Sequence, residues 1–450
     1  MPSPGLIIAA AASGSGKTTL TLGLLRLLAR QGVAVRGCKI GPDYIDPAFH
    51  AAASGADCFN LDAWAMRPTS LAAVIAAAQP HDLLIVEGVM GLFDGAALPA
   101  PAGALDLAAG STAQLAAQTG WPVVLVLNVK GQGATAAAVA RGLQQHHPAV
   151  RVAGVVCNNV GSPRHGEILR QAFAQIDLPL LGLVPRETRL RLPDRHLGLV
   201  QAGEHDDLQA FLDAAADHLA EHVDVAALRA LAAAPRDLGP RLAPGGDLAQ
   251  ALLPPLGQRI AVARDVAFAF AYPAQLAAWR QAGVEISSFS PLLDEAPDAD
   301  AAAIFLPGGY PELHAGKLAG NAVFISALHR AAASGTVIYG ECGGYMTLGR
   351  GLIDAEGRRH RMLDLLPVET SFAQRQLHLG YRQMRLLTDT PFGAREALLR
   401  GHEFHYASIT AEAEAQRLFA VRDAQGRDLG ACGHQAGSVF GSYLHLIDRL

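Results

Sequence analysis

The stretch Gly5–Gly32, GLIIAAAASGSGKTTLTLGLLRLLARQG, decides the fold. The apolar run LIIAAAA reads as a buried strand, and leucines at helical spacing follow Lys17. Between them lies Ser13-Gly14-Ser15-Gly16-Lys17-Thr18-Thr19, and a glycine-rich turn between a strand and a helix is the setting a phosphate loop requires. The N–H groups of Gly14 to Lys17, together with the positive end of the helix, are expected to cradle nucleotide phosphates. Lys17 is expected on the β- and γ-phosphates and Thr18 on Mg2+, so ATP is the expected co-substrate and Mg2+ its cofactor. Ala11 stands where this pattern has its first glycine, but Gly16, Lys17 and Thr18 are intact.

Downstream, the alternation continues through VAVRGCKIG, DLLIVEGV, PVVLVLNV, VAGVVCNN and LPLLGLVP, separated by helix-compatible stretches. Fully apolar runs divided by helices predict a parallel sheet covered on both faces, an α/β domain over 1–225. Residues 226–257 are interrupted by Pro and Gly and follow no period, which predicts a linker. A second alternation, RIAVARDVAFAF, AAIFLPGG, TVIYGECGGY and GSVFGSYLHL, predicts another α/β domain over 258–450.

A net charge of -5 and scattered lysines give no basic field for a nucleic-acid backbone, so nucleic acid is not an expected partner. No apolar stretch reaches the roughly 20 residues that span a bilayer, and the first residues lack the basic start of a signal peptide. Five widely spaced cysteines form neither a disulfide framework nor a metal pattern, which fits a reducing cytoplasm.

The carboxyl ends of strands in such a sheet face the ligand crevice. Glu87 ends the run DLLIVE and is a candidate Mg2+ ligand, direct or one step removed. Asp94 reaches the same region, or else stabilises its own turn. In Lys39–Pro47, KIGPDYIDP, two prolines and a glycine fix a loop from which Lys39, Asp43 and Tyr44 offer polar groups to the crevice.

In the second domain, Gly340-Glu341-Cys342-Gly343-Gly344 follows the strand TVIY, the setting of a nucleophile elbow, here with a thiol. His445, at the end of the last apolar run, is the candidate base. Backbone N–H groups at Gly308, Gly309 and Gly343 are the candidate oxyanion hole. His402 and His405 lie three apart in an expected strand, whereas a helical zinc motif needs them four apart, so no zinc site is expected.

With these residues in place, the chain resembles the cobyrinate or hydrogenobyrinate a,c-diamide synthases over essentially all its length. The phosphate loop, KIGPDYIDP, VEGVMGLFDG, NNVGSPRH, LPDRHLGLV, LPGGYPEL, GECGGYM, GHEFHYAS and GSYLHLI stand in that family's order. The resemblance implies a dethiobiotin-synthetase-like ATPase domain joined to a class I glutamine amidotransferase domain. It further implies that Cys342, activated by His445, releases ammonia from glutamine. ATP would phosphorylate peripheral carboxylates of a corrinoid, and ammonia would displace phosphate to leave amides, as in cobalamin biosynthesis. By the same analogy Asp43, Tyr44, Ile45, Glu87 and Asp94 belong to the substrate and metal crevice. Asn158 or Asn159 resembles a position that reads adenine, with a capping asparagine as the alternative. Class I amidotransferases carry a glutamate two residues after the histidine. Here that position is Ile447, which reduces the triad to a dyad. Two other readings stay open, a nickel-sirohydrochlorin a,c-diamide synthase and a phosphate-loop switch ATPase with a regulatory amidotransferase-like domain. A helix-rich surface is compatible with a homodimer.

Overall fold

The computed structural model describes residues 3–78, 81–96, 107–190, 194–195, 198–205, 207–236 and 248–450. The chain divides into two compact units, one of Met1–Trp64 and Leu71–Gly246, the other of Ala65–Ser70 and Asp247–Leu450.

The first unit is built on seven strands: β1 (Gly5–Ala10), β2 (Val35–Ile40), β3 (Phe59–Leu61), β4 (Leu83–Glu87), β5 (Val123–Asn128), β6 (Val152–Val160) and β7 (Leu180–Pro185). They lie in the order β3-β2-β4-β1-β5-β6-β7, and every pairing is parallel. Leu6, Ile7 and Ile8 of the central strand are fully buried, as a sheet covered on both faces demands. Parallel pairing of β1, β2 and β4 brings the phosphate loop, Lys39 and Glu87 to the same sheet edge, with Lys39 in register with Glu87. Helix α1 (Lys17–Arg30) packs closely on the helix Leu208–His222. A Cβ on Gly23 would lie 2.7 Å from the carbonyl oxygen of Ala215, and the Arg26 guanidinium grips both carboxylate oxygens of Asp213 (2.7 and 3.1 Å).

The stretch 226–257, expected as a linker, is partly ordered into these units. Asp224 caps the helix Val225–Ala230, Gly5 N–H donates to Ala233 (2.8 Å) and Arg236 N–H to Thr119 (2.6 Å), so residues up to 236 complete the first unit. A second short helix, Leu248–Ala251, begins the main segment of the other unit.

The second unit has a ten-stranded sheet of β8 (Arg259–Ala263), β9 (Glu285–Phe289), β10 (Ala303–Leu306), β11 (Val337–Glu341), β12 (His378–Leu386), β13 (Leu398–His405), β14 (Gln416–Asp423), β15 (Asp428–Ala436), β16 (Val439–Ser442) and β17 (Leu444–Arg449). Their order is β9-β8-β10-β11-β16-β15-β14-β12-β13-β17. The pairings from β9 through β16 are parallel and the rest antiparallel. Its core stacks Phe305 on Tyr339 (ring centroids 5.5 Å) and sets Phe392 and Phe440 against the same tyrosine. Ala65–Ser70 belong here. Arg67 donates to Asp448 from its backbone N–H (2.8 Å) and its guanidinium (2.9 Å), and Ser70 donates to Ala251 (2.6 Å). Among the described residues, no helix is long and apolar enough to cross a membrane.

Candidate functional site

In the first unit the phosphate loop turns into α1 at Gly16, whose φ of 95° suits glycine and whose missing Cβ leaves room for the Asn158 side chain. Asn158 Nδ2 donates to the Ser15 carbonyl (2.9 Å), tying the end of β6 to the loop, while Asn159 Nδ2 donates to Asn128 (3.1 Å). Gly14, Gly16, Thr19, Asn128, Asn158 and Asn159 border a cavity of about 330 Å3, to which Lys130 and Arg186 add positive charge. Ser13 and Thr19 flank the loop in sequence.

Glu87 is the hub of the crevice. Its Oε1 accepts from Thr18 Oγ1 (2.6 Å) and Lys39 Nζ (3.0 Å), and its Oε2 faces His50 Nε2 (2.7 Å). Lys39 also donates to Asp46. Burial alone would strip Lys39 of its proton, but Glu87, Asp46 and Asp43 outweigh it and hold the ammonium charged. Burial likewise opposes ionisation of Glu87, yet Lys39, His50 and Thr18 hold its carboxyl well below the usual range. For Asp46, burial and the neighbouring carboxylate Asp43 push the carboxyl upward. Cys58 Sγ lies 3.4 Å from His50 Nδ1, and burial keeps that thiol protonated.

Lys17 donates to the Met90 carbonyl (2.7 Å), and burial lowers its pKa against the pull of Glu87. Asp94 closes a turn by accepting from Gly91 N–H (2.9 Å), the turn role that was its alternative, while its charge still acts on Lys17. Asp43 accepts from the N–H groups of Ile45 (2.8 Å) and Asp46 (3.3 Å), so it starts helix α2 (Ile45–Ser54) as well as standing 3.9 Å from Lys39. Tyr44 adjoins this helix start. Sequence reasoning gave Asp46 and His50 no role. The available signal was their spacing of four on one helix, which puts both on the face toward Glu87. Of the motif LPDRHLGLV, residues 192–193 and 196–197 lie outside the described residues.

A hard divalent cation takes oxygen ligands, and the adjacent Thr18 hydroxyl and Glu87 carboxylate beside the phosphate loop fit that requirement.

In the second unit Cys342 joins β11 to the helix Gly343–Leu348 with φ 46° and ψ -103°, a sharp conformation for a non-glycine residue. Its N–H donates to Ser442 (2.8 Å) and its thiol points to the Phe404 carbonyl (3.8 Å). The turn after β10 meets the elbow. A Cβ on Gly308 would lie 2.5 Å from His445 Cε1 and 3.4 Å from Cys342 Cβ, and one on Gly343 would lie 3.0 Å from Gly309 N. Thus Cys342, His445 and the three glycines converge at one point. The Cys342 thiol is buried, and burial with nearby Glu312 raises its pKa, so it rests protonated. His402 stacks on His445 (centroids 4.9 Å), and burial, then His445, lowers its pKa well below normal.

Strand β13 holds His402 and His405 on opposite faces. His405 instead joins Glu403 (2.8 Å), itself held by Arg382 (2.8 Å), and His378, the three placing ligand-type atoms within 4.8 Å. Three acids near the thiol, two of them buried, had no assigned role in the sequence reading. Glu403 is one. Glu312 has its carboxyl pushed up by burial to about 8, and its Oε1 has no hydrogen-bond partner among the described residues. Glu341 stands next to Cys342, with Oε2 3.6 Å from His445 Nδ1.

Residues 6–200 match the family model described as the CobQ/CobB/MinD/ParA nucleotide binding domain, and 259–449 match the CobB/CobQ-like glutamine amidotransferase domain. A hydrogenobyrinate a,c-diamide synthase from Brucella anthropi is 53% identical over 449 residues, covering 99% of this chain and 98% of that protein. The protein of the same name from Rhizobium meliloti is 52% identical, covering 99% of each chain. A third, from Mesorhizobium japonicum, is 51% identical and covers 100% of this chain and 99% of its own length. Half-identical from end to end to proteins of that name, and matching both domain models, the chain belongs to the hydrogenobyrinate a,c-diamide synthase family.

Proposed function

We propose that this chain converts two peripheral carboxylates of hydrogenobyrinic acid, or of its cobalt-bearing counterpart cobyrinic acid, to carboxamides, using ATP and glutamine. The observation that carries the reading is the pair of sites within one chain: a phosphate loop joined to Glu87 through Thr18, and a protonated thiol on an elbow beside His445. The names of the full-length relatives support the choice of ring.

At the elbow, His445 accepts the Cys342 proton and the thiolate attacks the side-chain amide carbon of glutamine. The resulting oxyanion is met by N–H groups of Gly308, Gly309 and Gly343. His445 returns the proton to the leaving nitrogen, ammonia departs, and water then hydrolyses the glutamyl thioester to glutamate. In the first unit a ring carboxylate oxygen attacks the γ-phosphorus of ATP, giving an acyl phosphate and ADP. Ammonia attacks the acyl carbon, and phosphate leaves as the amide forms. Lys17 draws charge from the transferring phosphoryl group, and the backbone of Ser13 to Thr19 fixes its position. Mg2+ would be held by Thr18 and Glu87 and would offset phosphate charge when bound. Asn158 holds the phosphate loop in shape, leaving Asn159 and Asn128 to read the base. Lys39, Asp43, Tyr44 and Ile45 form the acceptor side of the crevice, with Asp94 bracing its loop.

The test is product mass after incubation with ATP, Mg2+ and glutamine and, in parallel, hydrogenobyrinic acid, cobyrinic acid and nickel-sirohydrochlorin. Two carboxyl-to-carboxamide conversions on a corrin ring support the proposal. Conversion of nickel-sirohydrochlorin alone reassigns the substrate, and ATP turnover that needs a protein partner but no tetrapyrrole overturns the ligase reading.

A further inference from the structure

The strand that carries His445 places Ile447, a buried apolar residue, where class I amidotransferases have their orienting glutamate. The base is nevertheless close to a carboxylate from another element. We propose that Glu341, the residue immediately before the nucleophile, is the positioning residue for His445 and completes a Cys342–His445–Glu341 triad. The inference rests on the assignment of Cys342 and His445 as nucleophile and base.

Three contacts define the arrangement. Glu341 Oε1 accepts from the Tyr339 hydroxyl (2.7 Å) and from Leu446 N–H (3.1 Å), which locks the carboxylate onto the strand bearing the base. Tyr339 is wedged among Phe305, Phe392 and Phe440, and burial keeps its phenol protonated, so toward Glu341 it acts only as a donor. Glu341 Oε2 then faces His445 Nδ1 at 3.6 Å, a separation that substrate binding needs to shorten by less than 1 Å to reach hydrogen-bond length. A carboxylate at Nδ1 selects the tautomer with its proton there and leaves the Nε2 lone pair for the thiol. When His445 takes the thiol proton, the same carboxylate stabilises the imidazolium. Among the described residues, the titratable groups facing His445 include Cys342 at the elbow and His402 on the paired strand, with Tyr272 and Arg382 next to His402.

The test is Glu341→Gln in the full chain. Its amide oxygen can still accept from Tyr339 and Leu446, but its NH2 group confronts Nδ1 and disfavours the working tautomer. Glutamine-dependent kcat is expected to fall by roughly 10^2–10^4-fold, with KM for glutamine and ammonia-dependent synthesis nearly unchanged. Alkylation of Cys342 by iodoacetamide, followed from pH 5.5 to 9.5, should shift its rise to higher pH. Wild-type kcat with glutamine, or equal loss of both activities in a folded variant, overturns the proposal. If Glu341→Gln does not fold, Glu341→Asp decides: loss confined to the glutamine reaction supports the role, and no loss or equal losses refute it. Cys342→Ala and His445→Ala run alongside. If either keeps glutamine-dependent synthesis, the assignment of nucleophile and base has failed; if both lose it while the Glu341 variants do not, only the triad has.

Discussion

The two sites handle charge in opposite ways. Around Glu87 the first unit sets Lys39 against Glu87, Asp46 and Asp43, and the Lys39 ammonium and the Glu87 carboxylate stay charged under burial because they face each other. Around Cys342 the second unit keeps the thiol protonated, His402 uncharged and Glu312 holding its proton up to about 8, while Glu403 stays ionised against His405 and Arg382. The contrast follows the chemistry. On the proposed chemistry, a nucleotide site draws on standing charge, whereas a thiol that is ionised only during turnover gains from resting protonated.

The sharpest break of this comparison is Cys342→Ala, expected to lower glutamine-dependent synthesis by at least about 10^4-fold while ammonia-dependent synthesis persists, both followed by product mass. Lys17→Ala should cost both activities roughly 10^2–10^3-fold, yet leave Cys342 alkylation at its wild-type rate. Loss of alkylation would mean that the sites are not separable in this way. Lys39→Met tests the standing charges. It leaves Glu87 and Asp46 buried without their ammonium and should destabilise the first unit by about 3–5 kcal/mol in urea unfolding.

The smallest effect concerns pH. Folded Glu312 keeps its proton up to about pH 8, whereas the unfolded chain releases it near 4.5. Its stabilising share is therefore complete below pH 4.5 and declines as pH rises to 8. Glu312→Gln should accordingly gain on the wild type in melting temperature across that interval and no further above about pH 8. A constant offset from pH 5 to 8 would show that the acid is ionised in the folded state.

The elements of both units were legible because their signals are local. Strand, glycine turn and helix adjoin at Lys17, and strand, elbow and helix adjoin at Cys342. His402 and His405 were expected on a strand, and Leu398–His405 is one. What escaped depends on which strands pair. Asp46 and His50 reach Glu87 only because β2 runs between β3 and β4, and Glu341 reaches His445 because β16 lies beside β11 and the chain turns directly into β17. The sequence reading looked for a third member only two residues after the histidine, found Ile447 and expected a dyad; a rule of sequence spacing cannot register the proximity of a carboxylate 104 positions earlier, on β11.

The hexapeptide Ala65–Ser70 has a genetic consequence. Fully buried Asp448 takes its countercharge from Arg67, 381 positions upstream, so the amidotransferase unit is not encoded by one continuous stretch of gene. A reading frame that began after the linker would specify that acid without its arginine, at a cost of about 3–5 kcal/mol. Fission of this gene into separate synthetase and glutaminase genes would thus need a compensating change at Asp448, a barrier that favours keeping both activities on one polypeptide.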